Sequence, residues 1–331
     1  MQSSLNRSIA HASETAPEIV TLRNSQGLRL HCMIRRATAA GPRSGLACLL
    51  LSPGVKMRVA PHRLYRKLEE EFLQRGISVM RVDFHGLGDS DGDLPEQQLD
   101  QLYRQVQLGR HVEDVRAAMD WMAEQGIASR FIVGGLCGGA LTGLLAAEGD
   151  SRVVALYALG LPVALDGSGV PGAAVMTRGQ LNDMRRTYLR KLLDPASWWR
   201  FLAARSDYRT IFRALLAALN LDRLRPRRTQ TIQQVPPAEK PLAADLNHAC
   251  VRAMFSLLQA GSPALLLFSG ADRLQWEFEE KFRQPWENAL QKFSRQLEVQ
   301  VIAAANHILS DPAWIATARR MTGDWLQARF G

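Results

Sequence analysis

The sequence predicts a mainly parallel β-sheet covered by helices on both faces, with a helical insertion over its carboxyl edge. Three observations carry this expectation. Short continuous apolar runs such as Leu46-Ala47-Cys48-Leu49-Leu50-Leu51 lack polar alternation, as strands buried on both faces do. These runs alternate with amphipathic stretches of helical period, the rhythm of successive βαβ units. The rhythm pauses after residue 163 and resumes near residue 263, which leaves room for an insertion between two sheet strands.

Taken in order, residues 18–36 alternate polar and apolar and break at Asn24-Ser25-Gln26-Gly27, which predicts a hairpin. The run at 46–51 ends at Ser52-Pro53-Gly54, an amphipathic helix follows over 62–75, and a second buried strand over 77–84 ends at His85-Gly86-Leu87-Gly88-Asp89-Ser90. Val112, Val115, Ala118, Met119 and Met122 recur at helical spacing and place one helix over 105–124. An apolar run from Phe131 passes through Gly135-Leu136-Cys137-Gly138-Gly139 directly into helix-forming sequence from Ala140 to Ala147. Strands over 153–163, 263–269 and 297–303 and helices over 275–295 and 312–330 complete the plan. The core is therefore expected at 1–163 and 256–331, with a helical, basic cap at 164–255.

Composition narrows the class. A chain of 331 residues, 47% hydrophobic and 22% charged, has ordinary globular balance and buries a sizeable core. The polar start from Met1 to Glu18 lacks the segments of a signal peptide and no run is apolar enough to span a bilayer, so a soluble, cytoplasmic protein is expected. Four cysteines, Cys32, Cys48, Cys137 and Cys250, stand far apart without C-x-x-C or His/Cys ligand spacing, which suggests neither zinc nor a disulfide framework. Residues 173–240 hold 14 Lys/Arg against 5 Asp/Glu, so this one segment carries an excess equal to the chain's net charge of +9. Such a surface suits an acidic ligand, an anionic membrane or nucleic acid.

The chemistry centres on Cys137. A strand that turns into a helix through Gly-x-Cys-x-Gly has the layout of a nucleophile elbow, whose flanking positions Gly135 and Gly139 must be small. A thiol there stands at a helix N-terminus, whose dipole favours the thiolate. The competing reading is a buried cysteine acting as a small hydrophobe. After an elbow, an acid and then a histidine are expected at later strand ends; Asp272 and His307 stand there in that order. His307 would take and return the proton while Asp272 fixes its tautomer. The oxyanion would meet the backbone N–H of Gly138 and of Val55, in the loop after the first buried strand.

Other residues admit two readings each. Arg58, His62 and Arg63 form either a solvated basic loop or contacts for an anionic substrate, and Trp198 and Trp199 line an acyl pocket or anchor the cap. His85 reads as structural. Asp89, Asp91 and Asp93 resemble a calcium loop, but Leu94 stands where glycine is needed.

Over residues 18–163 and 256–331 the plan resembles the α/β-hydrolase superfamily. More narrowly, Val59-Ala60-Pro61-His62-Arg63, Asp83-Phe84-His85-Gly86-Leu87-Gly88-Asp89-Ser90, Gly135-Leu136-Cys137 and Ala305-Asn306-His307 are similar to exosortase A system-associated hydrolases of bacterial exopolysaccharide loci. Those are related to the serine aminopeptidase and monoacylglycerol-lipase-like branch. The chain departs from them in carrying Gly138 where several have Asp, and Ser52-Pro53-Gly54 in place of His-Gly. The elbow alone also resembles dienelactone hydrolases and polyhydroxyalkanoate synthases. The resemblance implies Cys137, Asp272 and His307 as the triad, with no metal and no organic cofactor.

Three functions are consistent with these readings. One is hydrolysis of an ester or thioester through an acyl-cysteine, on a small acyl substrate that a basic cap would favour on an anionic handle such as coenzyme A or an acyl carrier protein. The second transfers the same acyl group to an alcohol or sugar hydroxyl. The third is a non-catalytic protein of the same fold whose basic cap, with Arg185, Arg186, Arg190 and Lys191, binds an acidic partner; nucleic acid is disfavoured because no binding motif accompanies the charge.

Overall fold

In the computed structural model, the described residues are 16–37, 45–94, 99–166 and 235–331. Trp198, Trp199 and the Arg185–Lys191 basic group therefore lie outside them, as does most of the expected cap.

Eight strands form one sheet: β1 (Glu18–Arg23), β2 (Arg29–Arg35), β3 (Gly45–Leu51), β4 (Ser78–Val82), β5 (Ala128–Leu136), β6 (Val153–Leu159), β7 (Ala264–Ser269) and β8 (Leu297–Ile302). Their order is β1-β2-β4-β3-β5-β6-β7-β8. β2 runs antiparallel to both neighbours and every pairing from β4 to β8 is parallel. The hairpin closes on Asn24, whose side-chain oxygen accepts the N–H groups of Gln26 and Leu28, with Gly27 at φ 79°.

The uninterrupted apolar runs give strands buried on both faces, as expected: β3 and β7 are buried almost throughout. On one face α1 (Leu64–Leu73) and α8 (Pro312–Phe330) pack together over Leu46, Cys48, Leu50 and Tyr157. On the other lie α3 (Val112–Glu124), α4 (Gly138–Ala147) and α5 (His248–Gln259), with Met119, Leu144 and Phe255 in one continuous core. α8 begins where the sequence signals it, with Asp311 accepting the Ala313 N–H at 2.7 Å and Pro312 in the first turn.

Two helices depart from expectation. The stretch 105–124 is divided into α2 (Leu99–Gln107) and α3, because Gly109 takes φ 96° and ends the first. The stretch 275–295 is divided into α6 (Arg273–Glu277), a π-helical turn at Phe278–Arg283, a 3-10 turn at Gln284–Trp286 and α7 (Glu287–Gln291). Pro285 has no N–H to continue an α-helix.

The chain leaves and rejoins the core at one point. Ala164 and Leu246 form an antiparallel bridge, with Leu165 N–H donating to Asp245 O and Asn247 N–H to Val163 O, each at 2.8 Å. The returning segment is fixed further by a buried Lys281–Asp245 ion pair at 2.7 Å and by Trp286 Nε1–H, which donates to Pro236 O at 2.8 Å. Asn247 caps α5, which crosses residue 255 without a break.

Candidate active site

β5 ends at Leu136 and α4 begins at Gly138, so Cys137 is the whole turn. Its φ of 54° and ψ of −116° lie where a residue bearing a Cβ rarely goes. The Cys137 N–H still donates to Leu159 O at 2.8 Å, as though the strand continued. The two flanking glycines are required by contact. A Cβ at Gly135, φ 151°, would stand 2.4 Å from Tyr65 Oη, and one at Gly139 would stand 2.4 Å from Leu51 O. Cys137 itself is partly exposed, whereas Cys32, Cys48 and Cys250 are buried in the core. Burial pushes the Cys250 thiol up to about 12 and those of Cys32 and Cys48 well above the usual range, which disfavours the thiolate at all three.

Asp272 and His307 reach this turn from the ends of β7 and β8. Asp272 is the N-cap of α6: Oδ1 accepts the Leu274 N–H at 3.4 Å, which leaves Oδ2 to accept from His307 Nδ1–H at 2.6 Å. The carboxylate is buried while the imidazole is 38% exposed, so the ring has one end anchored and one end open. Cys137 is near enough to the His307 ring to influence its charge. The hydrogen bond that His307 donates to Asp272, and then the influence of Cys137, hold the imidazole up to about 10 against the opposing effect of burial. A small, mostly apolar pocket beside the pair is walled by Leu136, Leu159, Leu267 and Leu309. Of the three residues expected to act together, Asp272 and His307 are thus joined by a hydrogen bond.

The loop after β3 lies against the elbow. A Cβ at Gly138 would come within 2.6 Å of Gly54 Cα, so the Gly54 backbone abuts the first turn of α4. Beneath it, buried Ser52 donates to Val82 O at 2.7 Å, and buried Asp83 accepts from both the backbone and the guanidinium of Arg58. Arg58 also pairs with Asp89 at 3.0 Å and its side chain is 13% exposed. It is turned into the loop's own support, not outward. His62 is exposed in a 3-10 turn, Pro61–Arg63, with φ 53°.

Sequence reasoning missed three neighbours. Tyr65, on the buried face of α1, donates its hydroxyl to Leu51 O and accepts the Leu136 N–H, both at 2.7 Å, and so braces the strand end that carries the elbow. The Tyr103 ring packs on the loop, 2.9 Å from where a Cβ on Gly54 would sit. Arg273, next to Asp272, pairs with Asp166 at 3.2 Å and Glu277 at 2.9 Å. A tyrosine on an apolar helical face gives no sign in sequence of which backbone groups its hydroxyl will meet.

No protein-family model matches the sequence, and no curated protein matches it significantly. Solved structures do. An esterase of Pyrococcus furiosus superposes with a TM-score of 0.51 at 13% identity, over 96% of this chain and 94% of its own. The esterase domain of a Rhodothermus marinus protein gives 0.52 at 16% identity, over 96% and 100%. At such identity the likeness speaks for architecture alone, and with the strand order and the single antiparallel inner strand it establishes that this chain has the α/β-hydrolase fold.

Proposed function

We propose that the protein is an esterase or thioesterase that works through an acyl-cysteine on Cys137. The observation that supports this reading best is the buried carboxylate of Asp272 2.6 Å from His307 Nδ1, with a partly exposed thiol on a strained turn near that ring. The esterases that share the fold support the reaction class.

In the proposed cycle the Cys137 thiolate adds to the acyl carbonyl while His307 carries the proton. The oxyanion is met by the N–H groups of Gly138 and Val55. His307 protonates the departing alkoxide or thiolate as the carbon–oxygen or carbon–sulfur bond breaks, which leaves an acyl-cysteine and a neutral imidazole. Water then gives its proton to His307 as it attacks, the acid departs, and the thiolate–imidazolium pair is restored. Asp272 keeps Nδ1 protonated throughout, so that Nε2 does the work. A thiolate favours activated acyl groups, so thioesters and lactones suit it better than amides.

The finer kinship, with exosortase-associated hydrolases of the monoacylglycerol-lipase-like branch, rests on the four motifs quoted above; a gene neighbourhood without exopolysaccharide genes would count against it. The reaction itself is tested by intact-protein mass after incubation with short-chain activated esters and thioesters. The expected result is a single acyl adduct on the wild type, none on Cys137→Ala, and at least hundredfold slower labelling of His307→Ala. Equal labelling of Cys137→Ala, or an unmodified wild type across the panel, overturns the proposal.

A further inference from the structure

Away from the elbow, three side chains come together that the proposed cycle does not use. His85 follows β4, His111 is the N-cap of α3, and Asp114 lies one turn into that helix. One ligand atom from each lies within 4.8 Å of the others. His85 Nδ1 is 2.8 Å from Asp114 Oδ2, and His111 Nδ1 is 3.6 Å from that same oxygen.

His111 is the anomaly. Its side chain is wholly buried and neither ring nitrogen has a hydrogen-bond partner. The 3.6 Å approach to Asp114 is too long to count as one. The ring stacks on Phe84 with centroids 4.6 Å apart and meets His85 edge-on at 4.7 Å. Burying an imidazole with both nitrogens unsatisfied is costly, and an ion or water is the usual reason such a group persists.

We propose that His85, His111 and Asp114 form a binding site for one divalent transition-metal ion of the zinc type, separate from the Cys137 site. Two imidazoles and a carboxylate are donors that such an ion accepts, and a fourth position is left for water. Bonds of about 2.0–2.2 Å in a tetrahedron put donor atoms about 3.3–3.5 Å apart. The two nitrogen–oxygen distances, 2.8 and 3.6 Å, lie either side of that spacing, and all three ligand atoms fall within 4.8 Å of one another.

The supporting groups are in place as well. Asn24 Nδ2–H donates to Asp114 Oδ1 at 2.8 Å, and the His85 backbone N–H donates to Oδ2 at 2.8 Å, which together orient the carboxylate as second partners of metal ligands do. Ligation moves the His85 proton from Nδ1 to Nε2 without net change. The His85 side chain is 12% exposed and gives the ion a path from solvent. The site would tie the β1–β2 turn, the loop after β4 and the start of α3 to one point.

The test uses the full chain carrying Cys137→Ser, so that sulfur beside His307 cannot compete for metal. Cobalt(II) is titrated in, followed by its visible absorption, and then displaced with zinc(II). The expected result is one cobalt per chain with the spectrum of nitrogen and oxygen donors, and affinity at least tenfold weaker on adding His85→Gln or His111→Phe. Zinc raises Tm in the Cys137→Ser protein and not in either double variant. No stoichiometric cobalt, a thiolate charge-transfer band, or binding unchanged by His85→Gln overturns the proposal. Because His85 is at the edge of the cluster, that variant decides the matter even where His111→Phe fails to fold.

Discussion

His307 is where single-residue chemistry can be read most directly. Its imidazole is raised to about 10, first by the hydrogen bond to Asp272 and second by Cys137. Raised above the unfolded value of about 6.5, the imidazolium contributes stability that is fully present below about 6.5 and is lost as pH rises through about 10. Removing the first cause should undo most of the shift. In histidine-resolved NMR, His307 should titrate near 10 in the wild type and fall toward 6.5 in Asp272→Asn, and the wild type's stability advantage over that variant should vanish above about pH 10. A wild-type His307 that titrates near 6.5 would falsify the Asp272–His307–Cys137 coupling. At this scale sequence order sufficed to pair Asp272 with His307, because strand ends fix where residues go. It did not suffice for Arg58, which was open to a substrate contact and instead sits in ion pairs with Asp83 and Asp89. Charge in a loop does not say which buried acid lies beneath it.

Among the elements, α1 does more than cover the sheet. Tyr65 bridges the carbonyl of β3 and the N–H at the end of β5, so the strand that presents Cys137 is braced from a helix seventy-one residues earlier in sequence. Tyr65→Phe leaves both backbone groups buried without that partner. The expected cost is about 1–3 kcal/mol in denaturant unfolding, with slower acylation of Cys137; unchanged stability would show that the brace is dispensable. Elements whose limits follow from local chemistry were legible: β3 and β7 from apolar continuity, the hairpin from its Asn-to-Gly turn, and α8 from Asp311-Pro312. Limits set by the backbone were not. The helix expected over 105–124 runs through Gly109, and the spacing does not show that Gly109 turns to φ 96°; the π-helical turn before Pro285 answers to packing around buried Phe278, Phe282 and Trp286. Nor was the His85–His111–Asp114 cluster legible, since its ligand atoms come from two elements and only His111 and Asp114 share a helical spacing.

For the molecule as a whole, the consequence that matters is how residues 164–255 join the rest. Sequence rhythm places that insertion between β6 and β7, and the joint itself is built as a closed stem. The Ala164–Leu246 bridge holds the departing and returning chains side by side. Asp166 is held by Gln107 and Arg273, and the returning segment is held by Lys281, Trp286 and the Glu239–Asn288 pair. A loop whose ends already meet costs little to shorten, because closure entropy changes slowly with loop length. We therefore predict that residues 167–234 can be replaced by a flexible Gly/Ser linker, with 235–247 retained, while the core keeps a single cooperative thermal transition. Cys137, Asp272 and His307 lie outside the excised stretch, so under the proposed function a short-chain thioester should still acylate Cys137, whereas any preference for acyl groups on an anionic handle should fall as the basic segment is removed. Loss of the cooperative transition would mean that 167–234 completes the core. Retained discrimination between anionic and neutral handles would instead move specificity to charges on the core, with Arg273 beside Asp272 the first to substitute.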